Sequence, residues 1–408
     1  MRHHAQTSPK TAVRRLAAAR LISITGGAAA YTALMYTIYE RTGSATWLSA
    51  TLLLTFGVAG IFAPLGGALG DRFDRKKVMV VSDLLGAACF GAMAFLHDPG
   101  WLLGFAFWSA IVEQPFWSAS AAAIPNLVDE EHLAWANGLV ALGRNTGIMV
   151  GPALGGVLVG ALGPGWVFGL NAISFVGSAV LVWSVHARFS EDHADAHEHK
   201  GLRAGFVFLA RDRVLRTIAF AWTALVLGMG FVMVADVPLV EHFSAGSLGY
   251  GLLIGTWGAG SVLGSLAGRK LTEEKEPRAL FLGMALIALS TGAVAVSPWF
   301  APILVMSFMS GFGDAVTMVA EQGIQQRRTP DAVRSRVVSA SEAIITVAFA
   351  LSLVAAGPVL EALGPQNVYA IGGATALVGS AVLMPVLRGE RRRSAEVAPE
   401  TMMQVELG

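Results

Sequence analysis

The chain has 408 residues, of which 54% are hydrophobic and only 14% charged, and its formal net charge is +1. Soluble domains carry about 25% charged residues, so the composition points to a membrane protein, in line with a mean hydropathy of +0.59. One cysteine, Cys89, leaves no disulfide framework.

Crossing a bilayer takes ~20 mainly apolar residues. In chain order, such runs occupy 18–38, 48–70, 78–97, 101–124, 134–161 and 166–186, then 214–239, 248–268, 279–297, 300–321, 336–360 and 367–387. The predicted fold is therefore all-α, with twelve transmembrane helices and connections too short for a soluble catalytic domain. Residues 1–187 form a first six-helix half, 188–213 a linker, 214–387 a second half and 388–408 a tail. The linker holds "SEDHADAHEHK", with His193, His197 and His199. It reads as a solvated connection rather than a metal site. No cleavable signal peptide is expected ahead of the first span.

The halves share words at an offset of 201 or 202 residues. "ALGP" stands at 161–164 and 362–365, "VGSAVL" at 176–181 and 378–383, and Asp129 and Asp331 share the spacing of the second pair. A parallel duplication of six spans is the signature of a transporter built from two halves. With the N-terminus in the cytoplasm, 27 of the 29 Lys and Arg residues fall in cytoplasmic segments or at their helix edges. Basic loops stay inside, so both termini are expected in the cytoplasm. Trp47, Trp101, Trp166 and Trp299 fall at the outer helix ends, as interfacial anchors do. The basic residues are spread over six segments, which is topology rather than a nucleic-acid surface.

The loop after span 2 reads "GGALGDRFDRKKVM", and span 5 holds "GRNTGIMVGPALGG". The first resembles the signature loop of the major facilitator superfamily, matched by Gly67, Leu69, Asp71, Arg72, Arg75 and Lys76, with Asp74 where Gly is usual. The second resembles the glycine motif of its antiporting exporters, matched by Gly147, Gly151, Pro152, Gly155 and Gly156. "IPNLVDEEHLAWAN" and "QQRRTPDAVRSRV" resemble inner loops of the macrolide-efflux and siderophore-exporter-like subgroup. The resemblance implies two six-helix halves related by a pseudo-two-fold axis. It also implies helices 1, 4, 7 and 10 around a cavity and 3, 6, 9 and 12 facing lipid. Read physically, the loop charges lie where helix ends meet and would act as a gate. The glycine stripe lets another helix come close, and Pro152 bends span 5.

A charge in mid-membrane is costly and seeks a partner. Such residues here are Glu113, Arg144, Asp236, Asp314, Glu321 and Glu342. Spans 4 and 5 form a hairpin whose loop lies midway between Glu113 and Arg144, so an ion pair between them is expected. Asp314 and Glu342 flank the loop between spans 10 and 11 in the same way. Two carboxylates in low dielectric do not both ionise easily, so this pair would hold and release a proton. Asp314 is the first proton candidate and Asp236 the second, with Glu321 as an inner relay. Gln114, Trp117, Trp222, Phe231 and Phe308 are candidates to line a cavity for amphipathic organic molecules, cations included.

The sequence therefore predicts a secondary transporter of the cytoplasmic membrane that exports hydrophobic or amphipathic compounds by proton antiport. Its expected partners are a small molecule, protons and lipid. No cofactor, metal or nucleic acid is expected, and the chain is read as a monomer. A uniporter or importer of a metabolite is the alternative within transport, and a non-transporting receptor lies outside it. The chain lacks a Walker-type phosphate loop, so ATP does not drive it.

Overall fold

A computed structural model describes residues 7–58, 62, 68–69, 72–187, 189 and 202–384. The described residues are helical, without strands. The first half contains α1 (Pro9–Thr42), α2 (Ala45–Leu52, continued by a π-helical turn over Leu53–Val58), α3 (Arg75–Met93), α4 (Pro99–Leu127), α5 (Glu130–Leu162) and α6 (Pro164–Trp183). A short α7 (Leu202–Arg211) lies in the linker. The second half contains α8 (Arg213–His242), α9 (Gly246–Gly268), α10 (Glu276–Val294), α11 (Phe300–Arg328), α12 (Asp331–Leu363) and α13 (Pro365–Met384). Nine of these described helices are long and apolar enough to cross a membrane.

The helix ends follow from local chemistry. The repeated word "ALGP" marks the same turn twice. Gly163 (φ 86°) and Gly364 (φ 78°) take a left-handed backbone that stops one helix, and the following proline starts the next. Asp74, the departure from the signature loop, is the N-cap of α3, its carboxylate accepting from the Lys77 amide at 2.9 Å. Asp98 caps α4 through the Gly100 and Trp101 amides.

The described residues form two compact units. One holds Met1–Glu198, Val234–Gly258 and Leu353–Pro365; the other holds His199–Met233, Ala259–Ser352 and Gln366–Gly408. In the first, α1 packs on α5 and α6, and α3 on α4 and α6. Phe90 of α3 stacks on Phe175 of α6, with centroids 5.7 Å apart. In the second, α10 packs on α11, over a core that includes Ile218, Leu225, Met284 and Ile287. Large apolar side chains stand bare on α6 and α10, with Ile173 67% and Leu289 68% exposed. Rows of this kind suit acyl chains.

The glycines of α5 separate onto two faces. Gly143, Gly147, Gly151 and Gly155 meet α1. A methyl on Gly151 would stand 2.6 Å from Ala28 Cβ, and one on Gly147 would stand 2.8 Å from Ile24 Cγ2. The backbones touch, so no side chain fits between them. Gly151→Val should overpack this seam and cost about 1–3 kcal/mol. The check is a lower unfolding temperature and a lower monodisperse yield in detergent.

Candidate functional site

Call the end of the first-half helices that carries Arg15, Arg75 and Lys76 the basic end. There, cations bind the carbonyls where α4 and α6 finish. Arg15 Nη1 donates to Ser184 O (2.7 Å), Lys76 Nζ to Val185 O (2.8 Å), and Arg75 Nη1 to Ala122 O (2.9 Å). Lys76 also lies over the Trp183 ring. Donors at helix C-termini satisfy orphan carbonyls and complement the dipole. Two of the predicted gating residues, Arg75 and Lys76, thus lace the first half to itself here. Arg72 is exposed and lies over Phe73. Gly67 and Asp71 lie outside the described residues.

The second half builds its own clamp, which the motif reading missed. Arg327 of α11 forms a two-pronged pair with Glu276 at the start of α10 and reaches Glu273 at 3.9 Å. Glu276 is only 7% exposed. Asp212 caps α8 through the amides of Val214 and Leu215, and its other oxygen meets Arg328 Nε at 3.4 Å. The sequence signal was available, since Glu273 stands at the duplication offset from Asp71.

At the opposite end of the first unit, segments of both halves meet. The second face of α5 carries Pro152 and Gly156. Ser247 Oγ donates to Gly156 O at 3.1 Å, and Gly251 stacks its backbone on Pro152 and Gly156. Glu361, near the end of α12, accepts from Ser44 Oγ (3.2 Å), Thr46 Oγ1 (3.1 Å) and the Thr46 amide (3.3 Å), and so caps α2 from another part of the chain. Gly357 lies against Thr46. Tyr36 reaches Glu241 and the Ser247 backbone. Asp236 is 6% exposed and neighbours Tyr31 and Tyr250. It therefore belongs to this seal. The span-5 motif thus has two jobs: Gly147, Gly151 and Gly155 fix α1, while Pro152 and Gly156 form the contact with α9.

The expected Glu113–Arg144 pair does not form. Glu113 Oε1 instead accepts from Ser109, one turn back, at 2.7 Å. Its charged neighbour is Asp83 of α3, which is 1% exposed and whose Oδ2 has no hydrogen-bond partner among the described residues. The loop between α3 and α4 lies midway between 83 and 113, so depth matching allowed this partner too. Rotation about the helix axes decides between them. Arg144 is exposed, and its charged neighbour is Arg20 of α1.

The second expected pair shifts in the same way. Glu342 has Glu321 as its like-charged neighbour rather than Asp314. Glu321 lines a small void with Trp222, Gln325 and Ser341, where Gln325 Nε2 donates to Ser341 Oγ at 3.2 Å. The Trp222 indole nitrogen there is buried and unpaired. A polar void of this kind suits a single water. Asp314 is half-buried on α11. Among the other candidate lining residues, Gln114 donates to Ala110 O and Trp117 lies beneath Arg20. The Phe308 backbone packs on Gly260, and Phe231 is half-buried on α8.

A duplicated six-helix set with paired acids inside its spans and a seal at one end defines a multi-pass membrane transporter. The chain belongs to the Major Facilitator Superfamily, whose sequence profile matches residues 16–276 and 231–404. Over 334 residues, 80% of each chain, it is 28% identical to a protein of Shigella boydii named enterobactin exporter EntS, and equally to one of that name from Escherichia coli. Among solved structures, it resembles the nucleoside transporter NupG, with a TM-score of 0.70 at 13% identity over 92% of this chain and 98% of that one. It also resembles a bacterial homologue of the iron transporter ferroportin in an inward-facing state, with a TM-score of 0.67 at 16% identity over 93% and 99%. At these identities the structures show the fold alone.

Two outcomes follow. Gly156→Val should part α5 from α9 and leave the α1 seam whole. In a Cys89→Ser background, a reporter cysteine at Ala153, which packs on Gly255, should then label faster; unchanged labelling would mean that Gly156 does not hold this seal. Arg327→Gln leaves Glu276 buried without its partner and should cost about 1–3 kcal/mol. Replacing both with leucine should restore part of the unfolding temperature.

Proposed function

We propose that this transporter exports hydrophobic or amphipathic organic compounds across the cytoplasmic membrane in exchange for protons, with both termini in the cytoplasm. Export is supported by the name of the curated relatives and by the resemblance of the α5 glycine motif. The orientation is supported by the basic residues, which gather at one end of the spans. In that orientation the α5–α9 and α2–α12 contacts close the outer side.

One observation carries the proton reading. Each half places two carboxylates as neighbours at matching depth, Asp83 with Glu113 and Glu321 with Glu342. Carboxylates held together inside a span are groups that can carry a proton. Water reaching the pair from one side lets a proton leave, and water from the other side lets one return. Alternating access then converts the proton gradient into transport, because each conformation presents the acids to a different solution. Asp236 lies in the seal itself, so opening the outer side would hydrate it. Trp117, Trp222, Phe231 and Phe308 stand on the helices that the family resemblance assigns to the cavity, and aromatic side chains suit amphipathic solutes.

The experiment is a substrate panel offered to reconstituted vesicles with an imposed pH gradient. Accumulation above equilibrium that collapses when the gradient is dissipated is the expected result; equal distribution with and without the gradient would make the protein a uniporter. Glu321→Gln should reduce uphill accumulation to the level of empty vesicles while exchange down a substrate gradient continues. Asp314→Asn, measured beside it, ranks the two. Loss with Asp314→Asn and not with Glu321→Gln would move the carrier to the middle of α11.

A further inference from the structure

Two arginines share one wall of the first unit. Gly143 brings α5 against α1, where a methyl would stand 3.2 Å from Ala17 O and 3.4 Å from Leu21 Cβ. The next residue on α5 is Arg144, and the residue before Leu21 is Arg20. The two guanidinium groups repel each other across this seam. Arg20 Cζ lies 5.3 Å from the centroid of the Trp117 ring on α4, and its Nε is buried with no hydrogen-bond partner. The ion pairs of Arg327 with Glu273 and Glu276, and of Arg328 with Asp212, involve neither Arg20 nor Arg144. Glu113 shares the α4 stripe with Trp117, but its carboxylate is held by Ser109, one turn further from the basic end.

Depth makes this pairing unusual. Arg144 lies ten residues, about 15 Å, inside its span, Trp117 about 10 Å from the inner end of its own, and Arg20 only about 3 Å inside the start of span 1, at 1.5 Å per residue. A cation at the depth of Arg144 is costly unless it faces water or an anion. Two cations side by side add mutual repulsion, which an anion placed between them would reverse. Guanidinium forks grip carboxylate, sulfonate or phenolate oxygens in a bidentate way, and the indole beneath Arg20 offers a flat apolar face.

We propose that Arg20, Arg144 and Trp117 form a subsite for an organic anion with a flat apolar body, the anionic group held by the two guanidiniums and the ring laid against the indole. The substrate class narrows from amphipathic compounds in general to anionic ones, and this assignment rests on the export reading. An anionic lipid headgroup offers the same charge. The observations favour a solute, because Arg144 stands about 15 Å inside its span, beyond the reach of a headgroup.

The test uses the full chain in phosphatidylcholine nanodiscs and three calorimetric titrations: 1-naphthoate, uncharged 1-naphthylmethanol and cationic 1-naphthylmethylamine. Naphthoate should bind at least about tenfold more tightly than the other two, as a charge-assisted contact implies. Arg144→Gln should remove that preference, Arg144→Lys should keep part of it, and Arg20→Gln should act like Arg144→Gln. Unfolding temperatures confirm that each variant is folded. Equal binding of the three probes, or a naphthoate preference that survives both glutamine variants, would overturn the assignment. So would displacement of naphthoate by phosphatidylglycerol that requires both arginines, since that would make the site a headgroup site. If pH-driven accumulation persists in the vesicle panel while naphthoate shows no preference, the export reading stands and the anion assignment alone falls.

Discussion

A charged group carried into a bilayer must be given a partner, water or a proton. Much of this molecule is arranged around that requirement. Glu113 has a serine hydroxyl and a second acid for company, Glu321 faces a polar void, and Asp236 sits between tyrosines. Neither Glu113 nor Glu321 forms an ion pair among the described residues. Full ion pairs occur instead at helix ends, where Glu276 meets Arg327 and Asp212 meets Arg328. The division has mechanical sense. Fixed pairs at the ends hold helices together, whereas under the proposed proton exchange a group that changes its charge is poorly served by a permanent counter-ion.

The helical framework was legible in the sequence because its causes are one-dimensional. Apolar length sets a span, and a Gly-Pro step stops one helix and starts another, so observed helices such as Pro99–Leu127 bracket the predicted 101–124. Depth was legible too, since counting residues from a loop fixes how far a side chain lies along its helix. The direction a side chain points was not. Glu113 matched Arg144 across one loop and Asp83 across the other, and Glu342 matched Asp314 and Glu321 almost equally. Only the rotation of packed helices, set by contacts such as Gly143 on Ala17, chooses between such alternatives. The α5 motif shows the same limit. Its glycines read as one stripe, yet Gly155 and Gly156, adjacent in sequence, serve different neighbours.

The charged clamp of the second half was missed for a different reason. Its residues depart from the signature loop while keeping the duplication offset. Glu273 falls where Asp71 would, but the strongest contact passes through Glu276, buried beneath Gly323. A duplicated fold can preserve an electrostatic task while moving the atoms that perform it.

Glu361 caps α2 from a distant part of the chain, and that placement has a thermodynamic consequence. A helix whose cap lies in its own sequence keeps it in every conformation. Here the acceptor for the Thr46 amide comes from α12, so parting α12 from α2 both breaks a contact and exposes the first turn of a helix. Separation and fraying thus become one event. The free energy of opening includes the loss of the cap, on the order of 1 kcal/mol, and the freed amides exchange with water only while the seal is open. Local helix order at Thr46 is therefore a built-in reporter of the conformational equilibrium.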